Sequence, residues 1–174
     1  MIKKRQKAFT LIEVLIAITI LIVGILSAFI LVTRALYNVA VIKDRLTASF
    51  LAQEGIELTR QIRDSNLLRM LGEESVDWRD GLEDGTYIIE SKVDSEESIK
   101  LVSIGEDENR FFLYNDTLKI YNYSIGEPTT FDRKIKITGI NDDEIRIESI
   151  MQWKTKRIDF DLTVENHLYN WLKL

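Results

Sequence analysis

Residues 4–35, KRQKAFTLIEVLIAITILIVGILSAFILVTRA, decide the fold of this chain. Residues 8–33 form an apolar run that contains a single charge, Glu13, and one helix-weakening residue, Gly24. The run follows a basic tip made of Lys3, Lys4, Arg5 and Lys7. A helix of roughly 20 apolar residues crosses the hydrocarbon core of a bilayer. The run is therefore long enough to span a membrane with some tilt.

Glu13 is an unusual residue for a membrane-spanning segment. A carboxylate at the centre of a spanning helix costs on the order of 2.5–3.5 kcal/mol of insertion free energy. Its presence therefore predicts either a partner that compensates the charge, or a position near the membrane edge from which the side chain extends into water. The residue type alone leaves both interpretations open.

Composition limits the classes of function open to the remaining chain. The protein has 174 residues, which leaves one small domain after the apolar run. The absence of cysteine excludes disulfides and thiolate sites, and a single histidine, His167, leaves little material for imidazole metal sites or histidine-based catalysis. Asp and Glu total 28 against 23 Lys and Arg, and four of those cations lie in the tip, so the body is acidic. An acidic body argues against direct contact with nucleic acid.

The distribution of charge around the apolar run predicts its orientation. The basic tip favours a cytoplasmic N-terminus by the positive-inside rule, whereas the charges beyond Arg34 are mixed in sign. The body is therefore expected outside the cytoplasm. The run is about twice as long as the apolar region of a secretory signal, and no clear small-residue cleavage site follows it. Composition alone favours a plain single-pass anchor.

The junction Lys7-Ala8-Phe9-Thr10-Leu11-Ile12-Glu13 indicates a more specific class. It resembles the leader and cleavage site of the type IV pilin family, which includes the pseudopilins of type II secretion. In that family a prepilin peptidase removes a short basic leader before an aromatic residue, usually Phe, and N-methylates that residue. The family pattern F-T-L-x-E is matched by Phe9, Thr10, Leu11 and Glu13. The chain departs from the family in having Ala8 instead of glycine and no proline in the middle of the helix.

The resemblance assigns roles to these residues. It implies cleavage between Ala8 and Phe9, N-methylation of Phe9, and removal of the basic leader, residues 1–8. Glu13 then lies about 6 Å along the helix axis from the new amine. The resemblance implies that Glu13 pairs with the Phe9 amine of a neighbouring subunit, which would compensate its charge and fix the stagger between helices.

The apolar spacing beyond Arg34 predicts that the helix continues to about residue 70. Residues 9–35, the membrane-spanning or filament-core half, are apolar all round, whereas residues 36–70 are amphipathic and must pack on something. The apolar positions of the second half are Leu36, Val39, Ile42, Leu46, Phe50, Leu51, Leu58 and Ile62. A long helix packed on an antiparallel sheet domain, residues 71–174, is the α+β fold that the pilin resemblance implies.

A second local resemblance covers residues 51–66, LAQEGIELTRQIRDSN, which are similar to a stretch of PilV-type minor pilins. On a helix, Arg60, Arg63 and Asp64 are expected to form a solvated charged face. Glu54 and Glu57 are expected on a solvent-exposed or subunit-facing surface rather than in a catalytic site.

The C-terminal part of the chain shows the alternation of an antiparallel sheet with one buried face. Residues 71–85 are expected to form an acidic loop anchored by Trp78. Asn115-Asp116-Thr117 predicts a hairpin, Lys154-Thr155-Lys156 a turn, and residues 167–174 a tail that docks through Leu168, Trp171 and Leu172. The expected strands are 86–93, 99–104, 110–114, 118–123, 131–138, 144–153 and 157–165.

No constellation of residues predicts catalysis. Two acidic clusters, residues 94–97 and 141–144, lack the spacing of an EF-hand calcium loop and are interpreted as solvated turns. His167 has apolar neighbours in sequence and no acid partner there, so a packing role is expected. No metal, cofactor or enzymatic activity is predicted.

The leading hypothesis is a structural minor pilin or pseudopilin. Before assembly it would be inserted in the inner membrane with its N-terminus in the cytoplasm. After processing it would enter a cell-surface or periplasmic filament. The resemblance implies four kinds of partner: a prepilin peptidase, other pilin subunits, an inner-membrane assembly platform, and lipid before assembly. The alternatives are a membrane-anchored binding or sensor domain that does not assemble, and an anchored enzyme, which no set of residues supports.

Overall fold

The computed structural model describes residues 10–72, 75–91, 99–105 and 108–172. The chain divides into two compact units, Met1–Lys43 and Asp44–Leu174. One helix, α1 (Leu11–Leu71), contributes to both units, and all strands belong to the second. The prediction of a single long helix is confirmed, although Phe9, where the helix was expected to begin, lies outside the described residues.

Both ends of α1 are defined by local hydrogen bonds. The Thr10 hydroxyl accepts a hydrogen bond from the Glu13 amide at 3.3 Å, and the Thr10 carbonyl accepts from the amides of Glu13 and Val14. Thr10 is thus the N-cap, because its side chain satisfies an amide that the first turn leaves without a partner. At the other end the Gly72 amide donates to the carbonyls of Leu68 and Arg69.

Seven antiparallel strands form one sheet, as the alternating sequence predicts. Its centre is β5, which pairs with β6 along one edge and with β3 and then β1 along the other. β2 extends β1, β4 extends β3, and β7 extends β6. The strands are β1 (Gly85–Ser91), β2 (Ile99–Ser103), β3 (Phe111–Asn115), β4 (Ile120–Asn122), β5 (Glu127–Asn141), β6 (Glu144–Thr155) and β7 (Ile158–Tyr169).

The last strands are longer than the sequence predicts. Lys154 and Thr155 were expected in a turn but belong to β6, and the chain turns at Lys156, which has a φ of 57°. β7 likewise extends through His167 to Tyr169, which were assigned to a tail. Within that expected tail Leu168 is buried, but Trp171 is 62% exposed and does not dock. Strand pairing with β6 explains the longer β7, because every residue from Ile158 to Tyr169 has a partner across the ladder.

The core lies between the sheet and the part of α1 that follows Asp44. β6 alternates strictly, with Ile145, Ile147 and Met151 among its buried side chains. The helix face that meets the sheet consists of Ala48, Leu51, Ala52, Gly55, Ile56, Thr59, Arg63, Asn66 and Leu67. The expected apolar face was therefore partly wrong. Leu46 and Phe50 are exposed, since small residues such as Ala48 and Ala52 allow the close approach instead.

Candidate functional site

The beginning of α1 carries Glu13 on an apolar surface. The Glu13 backbone is held by the Thr10 cap, and its side chain is exposed. Thr10 and Glu13 also have the sequence spacing of a capping box, the pattern S/T-x-x-E. The expected cleavage site, Ala8 and Phe9, and the basic tip of Lys3, Lys4, Arg5 and Lys7 lie outside the described residues.

The first half of α1 exposes apolar side chains on all sides. Leu11, Leu21 and Leu31 are 80%, 61% and 66% exposed, so no stripe of this segment is covered within its unit. By length and composition, the helix is long and apolar enough to cross a membrane. An apolar surface of this size is unfavourable in contact with water. It is therefore expected to be covered either by lipid or by other apolar helices.

The polar side chains of this segment, Glu13 apart, are satisfied within the helix. The hydroxyls of Thr19, Ser27 and Thr33 donate to the carbonyls four residues earlier at 2.8–2.9 Å. Such bonds let hydroxyls enter an apolar environment without an unsatisfied donor. Glu13 is the one ionisable residue from position 10 to 33, and no described basic side chain lies within ion-pair distance of its carboxylate. Among the described residues of this surface, Glu13 is thus the ionisable group that has no ion-pair partner.

The second half of α1 is fixed to the sheet by a buried arginine that the sequence analysis missed. Arg133 of β5 is 1% exposed, and its Nη1 donates to the Leu51 carbonyl at 2.7 Å and to Glu54 Oε2 at 2.9 Å. Its Nη2 donates to the Ile89 carbonyl at 2.8 Å, and the guanidinium lies 4.9 Å from the centre of the Phe112 ring. The available signal was a charged residue at an inward-facing position of an alternating strand.

The stretch 51–66 therefore has structural roles that differ from those expected. Glu54 was expected on a solvent-exposed or subunit-facing surface; its side chain is indeed 45% exposed, but it also forms an ion pair with the buried Arg133. Arg63 was expected on a solvated charged face, but it is 9% exposed and its Nη1 donates to the Tyr169 carbonyl at 3.1 Å. Glu57 is exposed as predicted, and it pairs with Arg60 on the surface.

The loop between α1 and β1 is held by two residues. Asn66 Nδ2 donates to the carbonyls of Trp78 and Asp80 at 3.3 and 2.8 Å. Trp78 is 3% exposed, and its indole N–H donates to the Asp142 carbonyl at 3.2 Å in the β5–β6 turn. The prediction that Trp78 anchors this loop is confirmed.

His167 does not have the apolar surroundings that were expected. Its Nδ1 lies 2.7 Å from Glu144 Oε1 on the neighbouring strand, and its Nε2 lies 3.2 Å from Glu165 Oε1. Strand pairing brings Glu144 close, which residue-by-residue inspection of the sequence missed. The hydrogen bonds to Glu144 and then Glu165 raise the pKa of His167, and the bond from His167 lowers the pKa of Glu144. The three residues form a charged cluster at the surface of β6 and β7.

The acidic stretch 141–144 forms a turn. The Asn141 side-chain oxygen accepts from the Asp143 amide at 2.9 Å, and Glu144 is engaged by His167. In the parts of the chain that the structure describes, no three His, Cys, Asp or Glu side chains are grouped to hold a metal ion. The second acidic cluster, residues 94–97, lies outside the described residues.

The fold and the N-terminal surface define a class of protein. One long N-terminal apolar helix packed through its second half on a seven-stranded antiparallel sheet is an α+β layout typical of type IV pilins. Residues 3–29 match the family model of the prokaryotic N-terminal methylation motif. This match supports a type IV pilin-like prepilin, a structural rather than enzymatic class, and the apolar helix is consistent with a membrane anchor. Neither a curated protein nor a solved structure matches the chain significantly.

Proposed function

We propose that this protein is a minor pilin or pseudopilin, a structural subunit that is processed by a prepilin peptidase and built into a filament. The observation that carries the proposal is the methylation motif over residues 3–29 together with Glu13, which lies on an exposed apolar helix and has no ion-pair partner among the described residues. Each of the two features alone fits an ordinary membrane anchor. Together they favour assembly, because a carboxylate without a partner on an apolar surface is costly unless another subunit neutralises it.

In this proposal the chain has four functional segments. Residues 1–8 are the leader, residues 9–35 the membrane and later filament-core segment, residues 36–70 the amphipathic half of the helix, and residues 71–174 the domain outside the cytoplasm. The peptidase cuts between Ala8 and Phe9 and N-methylates Phe9. Lipid surrounds the apolar segment before assembly, and an inner-membrane platform transfers it to a filament of other pilin-like subunits.

Glu13 gives the assembly its register. The Phe9 amine of one subunit and the Glu13 carboxylate of its neighbour would neutralise each other in an apolar environment. Such a pair is strongly favoured over either group alone, since an uncompensated buried charge costs several kcal/mol. Because only one ionisable residue is present over two dozen apolar positions, a single axial stagger satisfies the pair.

The exposed apolar residues of the second half of α1 support the same proposal. Val39, Leu46 and Phe50 are 63%, 56% and 62% exposed, and successive members lie seven and four positions apart along α1. Helical spacing of this kind fits helix-to-helix packing in a filament. The side of α1 that binds Arg133, through Leu51 and Glu54, is covered by the chain's own sheet. It is therefore not available for packing against neighbouring subunits.

The proposal is tested by determining the N-terminus of the protein isolated from cells with and without a prepilin peptidase. Cells that contain the peptidase should yield a chain that begins at N-methylated Phe9, and cells without it a chain that begins at Met1. Ala8→Gly, which restores the family residue, should be processed at least as fully, whereas Ala8→Glu should not be cut. A chain that keeps Met1 in the presence of an active peptidase contradicts the proposal.

A further inference from the structure

A cavity of about 480 Å³ lies on the sheet and is not explained by filament assembly. Four of its lining residues, one from each of β3, β5, β6 and β7, are paired across the ladders in a single row. The row is Phe111, Asp132, Gln152 and Asp161. A row of this kind places the four side chains on one face of the sheet.

The row lies on the face of the sheet that α1 does not cover. The neighbours of Asp132 along β5, Phe131 and Arg133, belong to the buried side, where Arg133 contacts the helix through Leu51 and Glu54. Successive side chains of a strand point to opposite faces, so Asp132 points away from α1. The cavity is therefore separate from the helix surface assigned to assembly.

Asp132 is an unusually buried carboxylate. It is 1% exposed, and its Oδ1 accepts a hydrogen bond from the Arg110 amide at 3.0 Å. Its Oδ2 has no hydrogen-bond donor among the described residues. Burial raises the pKa of Asp132, with the Arg110 amide and Lys134 opposing the shift. A buried acceptor without a donor costs free energy, and natural proteins rarely keep one without a reason.

The charges around Asp132 favour a cationic occupant. Asp159 and Asp161 also line the cavity, and the lining cation Lys154 is engaged with Asp159 at 3.1 Å. The lining residues thus carry three carboxylates and one paired lysine, an excess of negative charge that Lys134, next along this face of β5, offsets in part. A metal ion is a poorer fit, because no three ligating side chains are grouped within the described residues. A neutral hydroxyl could donate to Oδ2 but would not compensate the charge.

The aromatic ring of Phe111 favours a guanidinium group over an ammonium group as the bound cation. It lies across the ladder from Asp132 and is 51% exposed. A guanidinium group can donate to a carboxylate through its edge and stack on an aromatic ring through its face. An ammonium group can use the carboxylate but gains less from the flat ring surface.

We propose that this cavity binds the guanidinium group of an arginine side chain presented by another polypeptide, with Asp132 as the acceptor and Phe111 as the stacking surface. Asp161 adds negative charge at the end of the row. Such a site would let the domain outside the cytoplasm hold a basic segment of a partner, independently of the helix surface. The proposal does not depend on whether the protein enters a filament.

The test uses the full chain in detergent micelles, with N-acetyl-argininamide as the probe and backbone amide NMR shifts as the readout. Saturable shifts are expected at Phe111, Asp132 and Gln152. The uncharged isostere N-acetyl-citrullinamide should bind at least tenfold more weakly, and free arginine should bind no more tightly than the probe. Equal binding of the citrulline and arginine compounds, or the absence of any saturable shift, would overturn the proposal.

Three variants locate the site. Asp132→Asn should weaken binding of the probe at least tenfold, and Phe111→Leu, at an exposed position that keeps all charges, should weaken it severalfold. The matched control is Asp116→Asn, whose carboxylate is 82% exposed in the β3–β4 turn and pairs with Lys119; it should bind like the parent. If Asp132→Asn does not fold, the binding of the probe to Phe111→Leu is the test of the site. Unchanged binding in both folded variants, or equal weakening in the Asp116→Asn control, contradicts the assignment.

Discussion

Arg133 of β5 and Glu54 of α1, which are 79 positions apart in the chain, form an ion pair with 2.9 Å between Nη1 and Oε2. The arginine side chain is 2% exposed and that of the glutamate 45% exposed, so the pair lies at the edge of the helix–sheet interface. The same guanidinium binds the carbonyls of Leu51 and Ile89. One side chain thereby connects α1, β5 and β1.

Arg133→Met is expected to lower the free energy of unfolding by about 3 kcal/mol, because it leaves the Glu54 carboxylate and two buried carbonyls without their donor. The measurement is urea unfolding of the full chain in detergent micelles, followed by fluorescence of Trp78 and Trp153, which are 3% and 4% exposed. Arg60→Met is the control, since its pair with Glu57 is on the surface. That variant should lose less than about 1 kcal/mol. Equal losses of unfolding free energy in the two variants would show that the buried Arg133 interactions stabilise the fold no more than the surface pair does.

Gly55→Ala is expected to destabilise the second unit by about 1–3 kcal/mol. An added Cβ would lie 2.7 Å from Ile135 Cδ1 and 3.1 Å from Arg133 Cδ, so the fully buried Ile135 side chain or the helix would have to shift. The matched control is Gly24→Ala, where nothing lies within 4 Å of the added atom. The same urea experiment should show an unchanged midpoint for Gly24→Ala. A midpoint for Gly55→Ala equal to that of the parent would contradict the tight contact.

Local patterns were sufficient to predict the elements of this fold. The uninterrupted apolar and amphipathic spacing predicted α1, and alternation of apolar residues predicted all seven strands, because both signals depend on neighbours within a few positions. The boundaries of β5, β6 and β7 were less accurate, since each strand is longer than expected. Lys154 and His167 belong to strands through pairing with a partner strand, which no local pattern contains.

Residues that act across the fold were predicted least well. Arg63 and Glu54 look like surface charges on a helical wheel, and only the positions of Tyr169 and Arg133 show why they are held. The surroundings of Asp132 could not be predicted from the sequence either, because its cross-strand neighbours Phe111, Gln152 and Asp161 come from three other strands. The N-terminal motif was accessible because its residues are consecutive.

The charged cluster of His167, Glu144 and Glu165 gives a pH-dependent contribution to stability. A raised pKa in the folded state means that His167 contributes stability below its unfolded pKa, about 6.5, and loses it as the pH rises through the folded value. Glu144 has a lowered pKa, so its contribution is present above its unfolded value and is lost as the pH falls through the folded one. The cluster is therefore most stabilising in mildly acidic solution.

Because His167 is the single histidine of the chain, its imidazole signal can be followed by NMR without further assignment. The titration midpoint should lie above 6.5. Glu144→Gln should lower this midpoint more than Glu165→Gln does, since the hydrogen bond to Glu144 is the larger cause of the shift. A midpoint that Glu144→Gln leaves unchanged would disprove the pairing.

Glu13→Ala is expected to be processed at Phe9 like the parent but to enter filaments at least tenfold less. The peptidase site precedes Glu13, so cleavage does not need the carboxylate, whereas in the proposed filament the Phe9 amine of a neighbour would be left without its partner in an apolar environment. The measurement compares the amounts of protein in sheared surface filaments and in membranes, with the N-terminus determined in both fractions. Glu13→Gln, which keeps the shape and removes the charge, should show the same defect.

Thr19→Val provides the matched control for Glu13. It removes a polar group from the same apolar segment, but the Thr19 hydroxyl bonds only the Leu15 carbonyl of its own helix at 2.8 Å. Assembly of Thr19→Val should therefore equal that of the parent. If Glu13→Ala also assembles like the parent, the carboxylate does not set the register. If parent and variants alike remain detergent-soluble monomers in the membrane fraction, the protein is an anchored binding or sensor domain, because a filament subunit must leave the bilayer for its neighbours.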